Sequence, residues 1–288
     1  MSKRITVIGV TSEPGRALFF ELAKRNYSVI GIGRDIKKLT KIRNQLGEKF
    51  PLTEVRNLDV ERDDSFLSDT DVLIHCSRPH LVKRLLSKNL SHLIALGSTR
   101  KFTQYPDSKY NEVIEMEHDV LTSTVPSTIL HPTMIYGATT QNNIRRIIQV
   151  AKSWPMIPLP LNGRQLIQPI HNDDVVKAIM GSMNNARAIN KSIIIAGPSP
   201  MSYRKFVEKI IAATGYSCHV IAFPYPLIKT ISKLTKYIPN LPNINDSEVR
   251  RLLEDKNFDT LHMQKVLNLR PRSFEEGILQ FVSLSSRE

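Results

Sequence analysis

The segment Arg4-Ile5-Thr6-Val7-Ile8-Gly9-Val10-Thr11-Ser12-Glu13-Pro14-Gly15-Arg16-Ala17-Leu18 constrains the fold of this chain more than any other. A β-branched run halts at Gly9, a short turn follows, and Pro14 suits the first turn of a helix. Strand, glycine turn and helix in that order bring a helix N-terminus to the tip of a buried strand. Its unsatisfied N–H groups and positive dipole end face an anion there. Glycine at the turn lets the backbone approach that anion, and glycine at position 15 lets helix and strand pack closely. Gly9 and Gly15 hold the first and third places of a G-x-x-G-x-x-G spacing, with Ser12 in the middle one. The segment predicts a dinucleotide diphosphate site formed by Gly9, Thr11, Ser12, Glu13, Pro14 and Gly15.

The same alternation of apolar strands and helices continues down the chain. Strands are expected at Arg4–Val10, Ser28–Ile32, Leu52–Leu58, Asp71–Cys76, Ser91–Gly97, Ser127–His131 and Lys191–Ala196. Several are continuously apolar, as strands covered on both faces are. Helical patterns lie at Gly15–Arg25, Ile36–Leu46, Tyr110–Thr122 and Ile144–Ser153. This order predicts an α/β fold, a doubly wound parallel sheet with a smaller C-terminal lobe. The core is expected to span residues 1–153. Residues 154–288 are expected to form a mixed region, with a returning core strand near 191–196 and a small helical lobe for substrate or partner. Prolines cluster there at 155, 158, 160, 224, 226, 239 and 242, among helical patterns at Asp173–Met183, Ser202–Thr214, Leu227–Tyr237, Asp246–Glu254 and Ser273–Val282.

The second strand ends in Gly33-Arg34-Asp35. An acidic tip would chelate the ribose hydroxyls of NAD, whereas an arginine pairs with a 2′-phosphate. Arg34, with Lys37 or Lys38 one helical turn on, favours NADP(H) over NAD(H), while Asp35 reads equally as the cap of the next helix. The chain carries 40 Lys and Arg against 27 Asp and Glu, a net charge of +13. That excess suits small anionic substrates, but the basic residues are dispersed in pairs, so no specific nucleic-acid binding is expected. Cys76 and Cys218 set up neither a disulfide framework nor a metal cluster, which suits a reducing cytoplasm. No apolar run is long enough to span a membrane. Leu227–Ile238, with lysines at 229, 233 and 236 opposite an apolar face, leaves peripheral membrane contact open beside burial as a lobe helix. A monomer or homodimer is expected.

Five blocks together resemble the extended and atypical short-chain dehydrogenase/reductases, with the NAD-dependent epimerase/dehydratase group nearest. They are Gly9–Gly15, Leu58-Asp59-Val60, Asp71–Ser77, Ile129–Gly137 (ILHPTMIYG) and Gln168–Val175 (QPIHNDDV). The resemblance implies a Rossmann fold in which Asp59 and Val60 flank the adenine. It places Cys76 and Ser77 along the pyrophosphate and ribose, and Pro132 and Thr133 on the nicotinamide side, with His131 where an arginine is usual. His171 and Asp174 would tie the two lobes together, beside a local reading of Asn172 or Asp173 as a helix cap.

The resemblance also implies a tyrosine base with a lysine four residues later on one helix face, and a preceding Ser or Thr for the substrate oxygen. A phenol needs such a cation to act as a base at neutral pH. Ser98, Tyr105 and Lys109 supply the pattern as candidate catalytic residues. Pro106 and Asp107 read as a helix start, however, and counting back from His131 puts the family's tyrosine register at Lys109 and its lysine register at Val113. Glu117 falls at the acidic position that follows. Tyr105 and Lys109 are therefore a displaced pair, or a loop aromatic and a surface or ribose-contacting cation. Two functions stay open. One is an NADP(H)-dependent oxidoreductase or epimerase-like enzyme on a nucleotide-sugar or similar anionic metabolite, with Arg145, Arg146, Arg250 and Arg251 as pyrophosphate partners. The other is a non-catalytic NADPH-binding protein of the atypical type.

Overall fold

A computed structural model of the chain describes residues 3–87, 89–137, 142–224 and 253–285. Seven parallel strands form the main sheet: β1 (Ile5–Ile8), β2 (Val29–Gly33), β3 (Thr53–Asn57), β4 (Val72–His75), β5 (His92–Leu96), β6 (Ser127–Pro132) and β11 (Lys191–Ile195). Their spatial order is β3-β2-β1-β4-β5-β6-β11, and all six neighbouring pairs run parallel. The strand sequence reverses direction beside β1, so a crevice opens past the carboxyl ends of β1 and β4. Every residue of β1, β2, β4, β5 and β6 is buried, which explains their lack of polar alternation. All seven expected strands are present, with ends shifted by at most two residues.

Local chemistry sets the helices. Ser12 caps α1 (Glu13–Lys24), and Asp35 caps α2 (Ile36–Leu46) by accepting the Lys38 N–H at 3.0 Å. Asp35 thus spends its carboxylate on a helix end. Asp107 caps α3 (Ser108–Thr122) in the same way, accepting from Tyr110 N–H at 2.9 Å. The chain continues through β7 (Ile135–Tyr136), α4 (Asn142–Ser153), β8 (Met156–Pro160), β9 (Leu166–Ile167), β10 (Ile170–His171) and α5 (Asn172–Ser182). After β11 come β12 (Met201–Ser202), α6 (Tyr203–Thr214), β13 (His219–Phe223), α7 (Leu261–Leu267) and α8 (Phe274–Ser285). The proline-marked segment at 155–160 forms β8 and pairs in parallel with β13, a two-stranded sheet that periodicity did not announce.

Residues beyond 154 divide between two cores. Val175, Val176 and Ile179 of α5 and Met263 and Leu267 of α7 pack with Leu18 and Leu22 of α1 beside the main sheet. Phe206 and Ile210 of α6, Phe274 and Phe281 of α8, and Ile157 and Leu159 of β8 form a separate lobe core. No described helix is long and apolar enough to cross a membrane. The amphipathic stretch 227–238, the helical pattern up to residue 252 and Arg250 and Arg251 lie outside the described residues.

Candidate functional site

The glycine turn is built around a close approach of backbones. Gly9 has φ +85°, and a Cβ there would stand 2.6 Å from the Cys76 carbonyl oxygen at the end of β4. A Cβ on Gly15 would stand 2.2 Å from the Gly9 carbonyl oxygen. Only glycine fits either position, so α1 seats directly on the tip of β1, with the Ser77 amide close by. Ser12 fills the space of the missing middle glycine. Its hydroxyl lies 2.7 Å from Gly9 O and 3.0 Å from Cys76 O, and it accepts the Gly15 N–H at 3.2 Å. One hydroxyl proton serves one carbonyl at a time, so Ser12 holds β1, β4 and α1 together.

These residues fit a dinucleotide, with a change in how its anionic groups would be met. Of the amides opening α1, Pro14 has none, Gly15 gives its proton to Ser12 Oγ, and Arg16 gives its proton to Ser12 O at 2.9 Å. The carboxylate of Glu13 occupies the first turn and pairs with Arg16 at 2.9 Å. The helix end therefore offers an incoming diphosphate fewer free donors than the sequence spacing implied. Side-chain cations stand close by instead. A recess of about 70 Å³ between α1 and α2 is lined by Thr11, Arg16, Lys38, Lys41, Ile42 and Gln45. Sequence reasoning found Thr11 and Lys38 but passed over Arg16 and Lys41, whose convergence depends on how α1 and α2 pack.

Asp59 and Val60 lie just past β3, with Val60 buried. Asp59 accepts the Glu61 N–H at 3.1 Å, tightening the turn. Arg34 does not stand clear for a 2′-phosphate as its position at the strand tip suggested. Its guanidinium lies 3.7 Å from Asp59 and 3.6 Å from Glu61, so two carboxylates face one cation. Cys76 is buried, and burial pushes its thiol up to about 12, so it lines the turn as an inert neutral group.

Past β5, Ser98 caps a 3-10 turn over Thr99–Phe102, with its hydroxyl accepting the Arg100 N–H at 3.1 Å. That leaves the hydroxyl proton to donate. Thr99 donates to Pro132 O at 3.3 Å, which fastens the turn to the end of β6. Thr133 is buried, and its hydroxyl donates to Gln168 O at 2.5 Å. His131 is fully buried. Its Nδ1 accepts the Ser98 N–H at 3.1 Å, which puts its proton on Nε2, 3.0 Å from Ser192 Oγ. Ser192 donates to Glu117 at 2.5 Å, and Lys101 bridges both oxygens of Glu117 at 2.5 and 2.6 Å. Hydrogen bonds from His131, Lys101 and Ser192 hold the Glu117 carboxyl down to about 2. His131 therefore fixes the backbone of Ser98.

The catalytic candidates do not share a helix face. Tyr105 is 43% exposed and precedes the Asp107 cap, whereas Lys109 is the second residue of α3 and is exposed. Neighbours at i and i+4 meet only when both are helical. Val113, in the expected lysine register, is buried. The turn itself is clamped from the lobe. Glu254 accepts from Thr103 Oγ1 at 2.7 Å and from Gln104 N–H at 2.6 Å, and the Phe102 and Phe258 rings lie 5.5 Å apart. Tyr136 is buried, donates to Ser273 O at 3.2 Å, and has its phenol pushed up by burial. It packs the lobe. Asp174 is fully buried and accepts from Arg272 N–H at 2.9 Å and Lys177 at 3.0 Å, joining the lobe to α5. The cap of α5 is His171, which accepts the Asp173 N–H at 3.2 Å, rather than Asn172 or Asp173.

No protein-family model matches the chain, and no curated protein sequence does either. Solved structures do. UDP-glucuronic acid 4-epimerase from Bacillus cereus, in complex with UDP-glucuronic acid and NAD, superposes with a TM-score of 0.74 at 15% identity, over 99% of this chain and 100% of that one. The chain has the epimerase fold. UDP-glucose 4-epimerase from Thermotoga maritima shares that epimerase fold at a TM-score of 0.72 and 13% identity, over 99% of both chains. So does an NAD-dependent NDP-hexosamine 5,6-dehydratase involved in tunicamycin biosynthesis, at 0.73 and 14%, over 99% of this chain and 98% of that one. Each of these likenesses extends over 99% of the chain.

Proposed function

We propose that this chain binds a nicotinamide dinucleotide, NADP(H) in preference to NAD(H), and uses it in an oxidoreductase or epimerase-like reaction on a nucleotide-sugar or similar anionic metabolite. The reading rests on the glycine turn, where Gly9 and Gly15 bring α1 down onto the ends of β1 and β4. The epimerases and dehydratase that share the fold, whose names carry NAD or nucleotide sugars, support it. Thr11, Ser12 and Ser77 would border the diphosphate, Asp59 and Val60 the adenine, and Pro132 and Thr133 the nicotinamide. The coenzyme supplies a hydride acceptor or donor. Ser98 would hold the substrate oxygen with its remaining proton, and Tyr105 would move a proton to or from that oxygen, with Lys109 as the nearby cation. Calorimetry with NADPH and NADH should show saturable binding, and the absence of saturation for both removes the proposal.

A second reading is favoured by the exposed Tyr105 outside α3 and the buried Val113 in the lysine register. In it the dinucleotide is bound without turnover. A panel of nucleotide sugars separates the two. Turnover that disappears in Tyr105→Phe while coenzyme binding persists supports the enzyme, and bound NADPH left unoxidised across the panel supports the second reading.

A further inference from the structure

Arg34, at the tip of β2, and Arg16, in the first turn of α1, stand in different electrostatic settings. Arg34 faces both Asp59 and Glu61, at 3.7 and 3.6 Å, and the Arg84 guanidinium sits on the Glu61 carbonyl, so the two carboxylates offset the two cations. Arg16 faces the recess between α1 and α2 together with Lys38 and Lys41. The acidic groups paired within that second cluster are Glu13, at 2.9 Å from Arg16, and Asp35, at 4.0 Å from Lys38. Three cations against two carboxylates leave the recess net positive. A 2′-phosphate carries between one and two negative charges near neutral pH. The first cluster, with its cations offset by carboxylates, gives it no net attraction, whereas the second attracts it.

Shape agrees with charge. The recess, at about 70 Å³, holds more than a single water, and Thr11 and Gln45 add neutral polar groups to its wall. Because Ser12 takes the Gly15 amide proton and Pro14 has none, side-chain cations supplement the remaining amides at the head of α1. We infer that Arg16, held by Glu13 until a 2′-phosphate takes it over, is the residue that selects NADP(H), and that Arg34 is not. Glu13 is the internal competitor. Its ion pair with Arg16 is separated by one helical turn and partly exposed, so it contributes little to folding and exchanges readily for a phosphate. Lys38 and Lys41 hold the positive potential of the recess without being exchanged. This inference rests on the dinucleotide reading above and assigns its specificity.

The test compares dissociation constants for NADP⁺ and NAD⁺ in the full chain by calorimetry, at one fixed ionic strength. The wild type should prefer NADP⁺. Arg16→Met should reduce that preference at least tenfold, Arg16→Lys should retain it within threefold, and Arg34→Met should change it less than threefold. Glu13→Gln should tighten NADP⁺ about threefold to tenfold and leave NAD⁺ nearly unchanged. Melting temperatures measured alongside identify any variant whose loss reflects unfolding, and Arg16→Lys then decides the matter. A preference that collapses in Arg34→Met but survives in Arg16→Met overturns the inference, as does unchanged or weaker NADP⁺ binding in Glu13→Gln. A wild type that binds NAD⁺ as tightly as NADP⁺ also overturns it and leaves the dinucleotide reading standing. A chain that binds neither coenzyme defeats that earlier reading instead.

Discussion

His75 lies at the end of β4 with its side chain fully buried, and neither ring nitrogen has a hydrogen-bond partner among the described residues. Burial, with His80 adding a smaller repulsion, lowers its pKa to about 3. Burial likewise lowers His92, at the start of β5, to about 4. Both are neutral when folded. As pH falls below 6.5, the unfolded chain takes up protons that the folded chain refuses. Stability is therefore complete above 6.5 and declines towards pH 4, by up to about 1.4 kcal/mol per pH unit for each histidine. His75→Leu keeps the site apolar and removes its share of that proton uptake. Urea titrations from pH 7 to 4 should show a shallower decline than in the wild type, with stability at pH 7 unchanged or higher. An identical slope would show that His75 does not titrate in this way.

At the scale of elements, the 3-10 turn after β5 is secured at three places. Ser98 N–H binds His131, Lys101 binds Glu117 of α3, and Thr103 and Gln104 bind Glu254 from the lobe. Glu117 is the centre of the first two, and its carboxyl is held at about 2 against an ordinary 4.5. That stabilisation is present above pH 4.5 and is lost as pH falls towards 2. With its side chain 15% exposed, the group is screened only in part. Glu117→Gln should cost about 2–3 kcal/mol at pH 7, by the scale of one pKa unit. Denaturant curves should show that gap closing near pH 2. A variant as stable as the wild type at neutral pH would mean that the network is structurally idle. The sequence placed Glu117 in register but gave no sign of Lys101 or Ser192 beside it, because those three residues come from a turn, a helix and the edge strand β11.

At the scale of the whole molecule, the lobe is joined to the core at a buried carboxylate. Asp174 is fully buried, and Arg272 reaches it through both its backbone N–H and its Nε, at 2.9 and 3.3 Å. Removing one partner of a buried pair leaves the other desolvated, typically at 3–5 kcal/mol. Lys177 stays at 3.0 Å from Asp174, so Arg272→Met should cost less, about 2–3 kcal/mol. The core cluster itself includes Met263, Leu267 and Leu269. Calorimetric unfolding should therefore remain one transition, shifted to lower temperature. Two separated transitions in the variant would show that Asp174 and Arg272 carry the coupling between lobe and core.

Local rules wrote much of this protein into its sequence. Continuous apolar runs predict strands buried on both faces, Asp35 and Asp107 announce helix caps, and Gly9 and Gly15 mark the place where α1 must touch β1. Each depends on residues near one another in the chain, so spacing and side-chain type suffice. Tertiary structure decided what the charges do. Arg34 reads as a phosphate ligand until the turn after β3 brings Asp59 and Glu61 to it, and Arg16 reads as an ordinary helix residue until α2 brings Lys38 and Lys41 alongside. Electrostatic energy depends on distance through space. Only the folded chain sets those distances.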